Sequence, residues 1–168
     1  MGLIDRLFGR RQDVAAPLYA AVVARARAPH WYEDGGVADT IDGRFDMIAA
    51  VLSLVMLRLE SDPAAAAASV ALAETFVSDM DPQLREIGIG DVTVGKHIGK
   101  MMSMLGGRLG AYRAGLASGS IDSALIRNLY RDEPTTPEAL AHVRDALLAF
   151  RDSLDATSLD AILAGELA

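Results

Sequence analysis

The chain has 168 residues, 51% of them hydrophobic and 23% charged, with no cysteine and a formal net charge of −7. Such a length and apolar content fit one domain with a genuine core. The missing thiols exclude disulfides, thiolate metal sites and cysteine nucleophiles, and the acidic balance excludes polyanion binding by the chain as a whole.

At the N-terminus, MGLIDRLFGRR carries its arginines after a short apolar part with no long apolar region behind them, unlike a secretory signal. Arg6 stands where a myristoylation site needs Ser or Thr. Leu3, Ile4, Leu7 and Phe8 would share a helical face, with Arg10 and Arg11 nearby. Residues 1–13 therefore read either as an amphipathic segment lying in a membrane interface or as a frayed terminus. Tyr19, Val22, Val23 and Ala26 mark a helix from about Ala15 to Ala28, stopped by Pro29. The loop HWYEDGGVAD follows, with Gly35 and Gly36 as breakers.

Ile41, Phe45, Ile48, Leu52, Val55 and Leu59 then step by four and three, and Met47, Val51 and Leu54 add a second apolar face. A helix over roughly Thr40 to Glu60 that is apolar most of the way round belongs at the centre of a fold. Its most apolar run, Met47–Leu57, is 11 residues long, against the roughly 20 of a membrane span. Asp62-Pro63, Asp81-Pro82 and Thr136-Pro137 each place a capping acceptor before a proline suited to the first helical position. Ser120 is positioned to cap a short helix through Leu125 and Tyr130, and Thr157 or Ser158 a last one. The expectation is an all-α, single-domain bundle of seven or eight helices round a central apolar helix. Residues 14–131 form its core, a break falls near 132–136, and the C-terminal helices of 132–168 pack on that core.

Gly90 to His97, GDVTVGKH, nearly spells a phosphate-binding loop. A working loop follows a buried strand, opens a helix and puts a Ser or Thr hydroxyl on magnesium. Here PQLREIGIG precedes it, His97 occupies the hydroxyl position, and no alternation of strands and helices supplies a parallel sheet. A glycine-rich turn into a helix explains more. On that helix Ile98, Leu105, Leu109, Tyr112 and Leu116 form a core face, while Lys96, Lys100 and Arg108 form an outer basic face. Gly95, Gly99, Gly106 and Gly110 form a smooth edge. From Leu84 to Arg113, five Lys or Arg stand against two acidic residues, a local +3 in an acidic chain. Interior glycines cost a helix up to about 1 kcal/mol each, so the edge implies a broken helix or a surface approached closely by another backbone. Met101 and Met102 suit core filling, and Met104, on the basic side, suits an adaptable exposed contact.

His30, His97 and His142 lack ligand spacing, and Asp39, Asp42 and Asp46 at a helix start are favoured by the macrodipole alone. No metal, cofactor or Ser/His/Asp set is therefore assigned. Asp152-Ser-Leu154, a weak echo of a carrier-protein serine, is read as chance.

Two blocks together carry a resemblance. One is Asp39-Thr-Ile-Asp42-Gly43-Arg44-Phe45-Asp46-Met47; the other runs Asp79-Met-Asp81…Leu84-Arg85-Glu86…Gly88-Ile-Gly90-Asp91…Val94-Gly95-Lys96. Ala111-Tyr112 and Ala124-Leu-Ile-Arg127-Asn128-Leu-Tyr130 follow. The pattern, over about Pro17 to Tyr130, resembles the ubiquinol–cytochrome c chaperone family, assembly factors of respiratory complex III. The resemblance implies a helical, non-catalytic protein that assists newly made cytochrome b. In mitochondrial members it implies a small partner protein and a place near the ribosome exit tunnel at the inner membrane. The N-terminus here suggests a bacterial member, cytoplasmic with a peripheral contact at the inner membrane. The pattern departs after Lys96, where His97 and Gly99 replace a more basic run. Phe45 is expected in the core with Gly43, Arg85 and Gly95 as structural motif positions, and Arg44 in an ion network with Asp42, Asp46, Asp79 and Asp81. Alternatively Trp31, Tyr32 and Arg44 line a client groove, with Lys96, Lys100, Met104 and Arg108 as further contacts. The rival readings are an enzyme holding a phosphate-bearing ligand at Lys96 and a membrane-surface adaptor for another client.

Overall fold

The computed structural model describes the backbone of residues 3–86 and 94–168, and side chains of residues 14–83, 96 and 98–168. Among these residues there are eight α-helices and no strand. They are α1 (Leu3–Ala26), α2 (His30–Glu33), α3 (Ile41–Glu60), α4 (Ala66–Glu86), α5 (Val94–Ser118), α6 (Asp122–Asn128), α7 (Pro137–Ala156) and α8 (Leu159–Leu163), with a 3-10 turn at Pro63–Ala65. This is the all-α single domain expected from periodicity. No helix among the described residues is long and apolar enough to cross a membrane.

The axis of the fold is α3. Every residue from Phe45 to Val55 is buried, so the helix has no solvent face over three turns. Helices α1, α4, α5 and α7 all pack on it. Its start is fixed locally: the Thr40 hydroxyl accepts from the Gly43 amide at 3.1 Å, satisfying one of the orphan donors of the first turn. Gly43 is there because the chain passes too close for a side chain. A β-carbon would lie 1.8 Å from the Ala38 carbonyl oxygen. Ile41, expected on the core stripe, is the first residue of α3 and is 41% exposed.

Caps at three other starts match the sequence. Asp62 accepts from Ala64 at 2.9 Å, Thr136 from Ala139 at 3.1 Å and Ser158 from Ala161 at 3.2 Å. Ser120 instead sits one residue outside the cap of α6, accepting from Asp122 at 3.3 Å. Two expected boundaries are overturned. Helix α1 reaches back to Leu3 with Pro17 inside it, and α4 runs through Asp81-Pro82 to Glu86. In α4 the buried Phe76, Val77 and Met80 hold the turn before Pro82 against the core. Packing there outweighs the lost hydrogen bond, and the Gln83 amide side chain donates to the Asp79 carbonyl at 3.3 Å.

Two glycine substitutions separate packing from propensity. Gly43→Ala must displace backbone and is expected to lower unfolding free energy by at least about 2 kcal/mol. Gly106→Ala, where a β-carbon meets nothing within 4 Å, should raise it by up to about 1 kcal/mol. Urea titration followed by circular dichroism checks both.

Candidate functional site

The one carboxylate on the fully buried part of α3 is Asp46, 1% exposed. Two arginines answer it from different elements. Arg108 of α5 donates from Nη2 to Oδ1 at 2.8 Å, and Arg131, in the loop after α6, donates from Nε to Oδ2 at 2.6 Å. Arg131 also reaches Asp42 at 3.3 Å. Burial raises the Asp46 carboxyl above its ordinary value, with Arg131 and Arg108 pulling it back. The guanidinium of Arg108 also stands 5.3 Å from the centre of the Phe45 ring. Arg131 and Asp132 both have positive φ, 54° and 60°, so the loop carrying this cation adopts backbone that L residues disfavour.

Several expected placements change. Arg108, placed on an outer basic face by its helical angle, turns its long side chain inward to Asp46 and keeps 12% exposure. Arg44 does not join the network: it pairs with Asp39 at 2.8 Å with both side chains more than half exposed. Asp79 is the acceptor of the Tyr19 hydroxyl at 2.6 Å, on the α1–α4 side, and Asp81 is half-buried. Asp42 and Asp46 meet in one ion cluster through Arg131, and Phe45 is buried in the core beside it. Arg131 was missed because its partner lies 85 residues away.

Trp31 is 1% exposed and lines no surface groove. Its indole donates to the Arg25 carbonyl at 2.7 Å, and the hydroxyl of half-buried Tyr32 donates to the Ala26 carbonyl at 2.9 Å. The aromatic pair thus adds side-chain donors to carbonyls of the last turn of α1. His30 stacks at 4.2 Å on Trp31, and its Nδ1 lies 2.9 Å from His142 Nε2 of α7. Burial lowers the His30 pKa, helped by His142 and Arg25 and opposed by Asp34. His30 and His142 therefore meet despite their separation in sequence. No group of three His, Cys, Asp or Glu suited to a metal occurs among the described residues.

What α5 leaves outside is unusual. Lys96, Gly99, Lys100, Ser103, Gly106 and Gly107 are exposed, and Ile98, expected in the core, is 41% exposed. A β-carbon on Gly99, Gly106, Gly107 or Gly110 would have nothing within 4 Å. The helix is continuous, so of the two explanations for the glycine edge the broken helix is removed. Leu105, Tyr112 and Met101 are buried below, while Leu109 and Leu116 are only half-buried. Met102 and Met104 pack half-buried against the core, Met104 less exposed than its angle implied. Gly95 falls in the first turn of α5 and Arg85 in the last turn of α4, while residues 90–93 of GDVTVGKH and the side chains of Arg85, Leu3, Ile4, Leu7, Phe8, Arg10 and Arg11 lie outside the described residues. The sheet a phosphate-binding loop would require is not found among those residues.

Fold and surface together define an all-α, single-domain protein built round one buried helix, with a long, bare, small-residue helix face turned outward. The family model of the Ubiquinol-cytochrome C chaperone matches residues 33–168, and the chain belongs to that family. Its structure is similar to the crystal structure of the Cbp3 homolog from Brucella abortus, with a TM-score of 0.82 and 33% identity over 99% of this chain and 96% of that one. Comparison with curated proteins gives no match.

The buried ion cluster and the exposed ion pair should behave differently. Asp46→Ala strands Arg108 in the core and is expected to cost about 3–5 kcal/mol of stability, whereas Arg44→Ala should leave the urea midpoint unchanged. The histidine pair gives a sign for pH. The unfolded chain takes up a proton on His30 near its ordinary value of 6.5 while the folded chain resists. Stability is therefore full above that value and falls as pH drops through it. Urea midpoints between about pH 7.5 and 5 should decline less steeply in His30→Gln than in the parent protein.

Proposed function

We propose that the protein is a non-catalytic assembly factor for ubiquinol–cytochrome c reductase, complex III, and that its client is newly made cytochrome b. The observation that carries this reading is the match to the chaperone family over residues 33–168. The likeness to the Cbp3 homolog over nearly the whole chain supports it.

The client contact is assigned to the outer face of α5. Helices made for a bilayer associate through small residues that let backbones come close, because apolar side chains gain little from leaving lipid. The edge of Gly99, Ser103, Gly106 and Gly110 offers such an approach without a side chain in the way. Met104 adds a deformable flank, and Lys96 and Lys100 add a positive end suited to headgroups or to the ribosome. Trp31 and Arg108 leave the contact set, being committed to the α1 terminus and to Asp46. Leu3, Ile4, Leu7 and Phe8 with Arg10 and Arg11 form the peripheral membrane contact of the same reading.

Deleting the gene should lower cytochrome b and assembled complex III, and normal levels of both would count decisively against the assignment. Complementation with Gly106→Leu/Gly110→Leu should restore the folded protein, by circular dichroism and abundance, yet recover well under half of the complex; full recovery would clear the α5 face of any role. For the anchor, liposome flotation of the full chain should exceed that of a chain lacking the first 12 residues, and equal recovery refutes the contact.

A further inference from the structure

A second surface lies over the C-terminal half of α3, where α5 and α7 flank it. Leu54 and Leu57 of α3 and Leu116 of α5 floor a half-open cleft of about 260 Å3. Its rim takes one arginine from each helix: Arg58 from α3, Arg113 from α5 and Arg151 from α7. The one acidic side chain lining it is Asp155. This concentration of cations occurs in a chain with 23 acidic and 16 basic residues.

The three guanidiniums are not equally committed. Arg58 bonds the Leu154 and Thr157 carbonyls at 3.0 and 3.1 Å and the Ser61 hydroxyl at 3.0 Å. These bonds close the end of α7, hold the group rigidly and leave two of its five N–H groups uncommitted. Arg113 pairs with Glu60 at 2.5 Å but is 52% exposed. Arg151 meets Asp155 only at 3.9 Å, beyond hydrogen-bond distance, and is 45% exposed. Structural needs account for Arg58 and part of Arg113. They do not account for Arg151, nor for three cations above an apolar floor.

We propose that this cleft binds an acidic amphipathic helix of a partner protein, one or two aliphatic side chains entering between α5 and α7 and flanking carboxylates meeting Arg113, Arg151 and the free edge of Arg58. The proposal goes beyond the client reading and stands without it. Size selects the occupant. A cavity of about 150 Å3 takes a benzene ring, so this cleft holds one or two aliphatic groups. An acyl chain reaching halfway through a hydrocarbon core of about 30 Å would overrun it. Charge selects the rest, since guanidinium forks match carboxylates in two-point bonds, and a groove floored by leucines between two helices is the setting in which amphipathic helices dock.

The probe is a fluorescein-labelled, acetylated and amidated peptide of about 15 residues, near the shortest length at which an isolated helix holds. It carries two leucines one turn apart, each followed by glutamate, on an alanine and glutamine background. Anisotropy with the full chain should show saturable binding that weakens about tenfold in Arg113→Glu/Arg151→Glu and several-fold in Arg151→Ala. The second variant removes only the loosely paired arginine, so loss of fold cannot imitate the result. Changing the peptide leucines to alanine, or its glutamates to lysine, should abolish binding. Absence of saturable binding up to millimolar peptide would overturn the proposal. So would equal affinity for the double variant or for the leucine-free peptide. Vesicles of phosphatidylglycerol are the parallel arm: flotation that depends on Arg113 and Arg151 without peptide binding would make the cleft a membrane contact and overturn it too. Complex III levels are not read in this experiment, so its failure is distinct from failure of the client reading.

Discussion

A helix enclosed by four others must leave no charge without a partner, because an isolated carboxylate taken out of water costs several kcal/mol. Asp46 is that charge on α3, and the positions of two distant segments follow from it. Arg108 fixes how α5 is rotated about its own axis, since its guanidinium reaches Asp46 only with Tyr112 and Leu105 turned into the core. Arg131 fixes the loop between α6 and α7, and with it the approach of α7 to α3. Such a pair adds little to net stability over an apolar core. Its effect is to exclude other arrangements of helices that are otherwise held by interchangeable aliphatic contacts. The rotation of α5 in turn leaves its glycine edge outside, so the buried ion cluster and the outward face are two sides of one placement.

Much of the fold was legible because its signals are local. The length of α3, its burial on all sides and the caps at Asp62, Thr136 and Ser158 depend on residues within a turn or two of each other. The errors arose where a distant partner overrode a local preference. Asp81-Pro82 has the chemistry of a helix start, but burial of Met80 and Val77 carries α4 through it. Arg108 has an outward helical angle, but its long stem lets the charge travel to an acceptor 62 residues earlier. Trp31 has the composition of a binding hot spot and serves instead as a hydrogen-bond donor to the end of α1, while Tyr32 and Arg44 do line a surface cavity without it. Residue type narrows what a side chain can do, and only position decides which of those things it does.

Family membership and geometry bear on different parts of the molecule. The DGRFD block that carries the resemblance is largely architectural: Gly43 permits the close pass of Ala38, Phe45 packs in the core against Phe76 at 5.3 Å, and Asp46 is the buried anion. Sequence similarity in this block reports that the scaffold is shared. Surface chemistry, by contrast, sits on α5 and along the α3–α5–α7 cleft, where exposed residues such as Gly106, Arg113 and Arg151 make few demands on the fold. The same scaffold can therefore accept different outward residues while keeping its helices in register.

The two consecutive residues at positive φ, Arg131 and Asp132, have an implication for how this chain tolerates change. Glycine would relax the backbone at position 131 and asparagine would accept it, yet neither supplies a cation to Asp46. Lysine keeps the charge but not the fork that reaches both Asp42 and Asp46. The residue best suited to the backbone and the residue best suited to the anion are different ones, so drift at this position is opposed from both directions. A redesign guided by backbone preference alone would choose glycine here and would remove a clamp on the central helix.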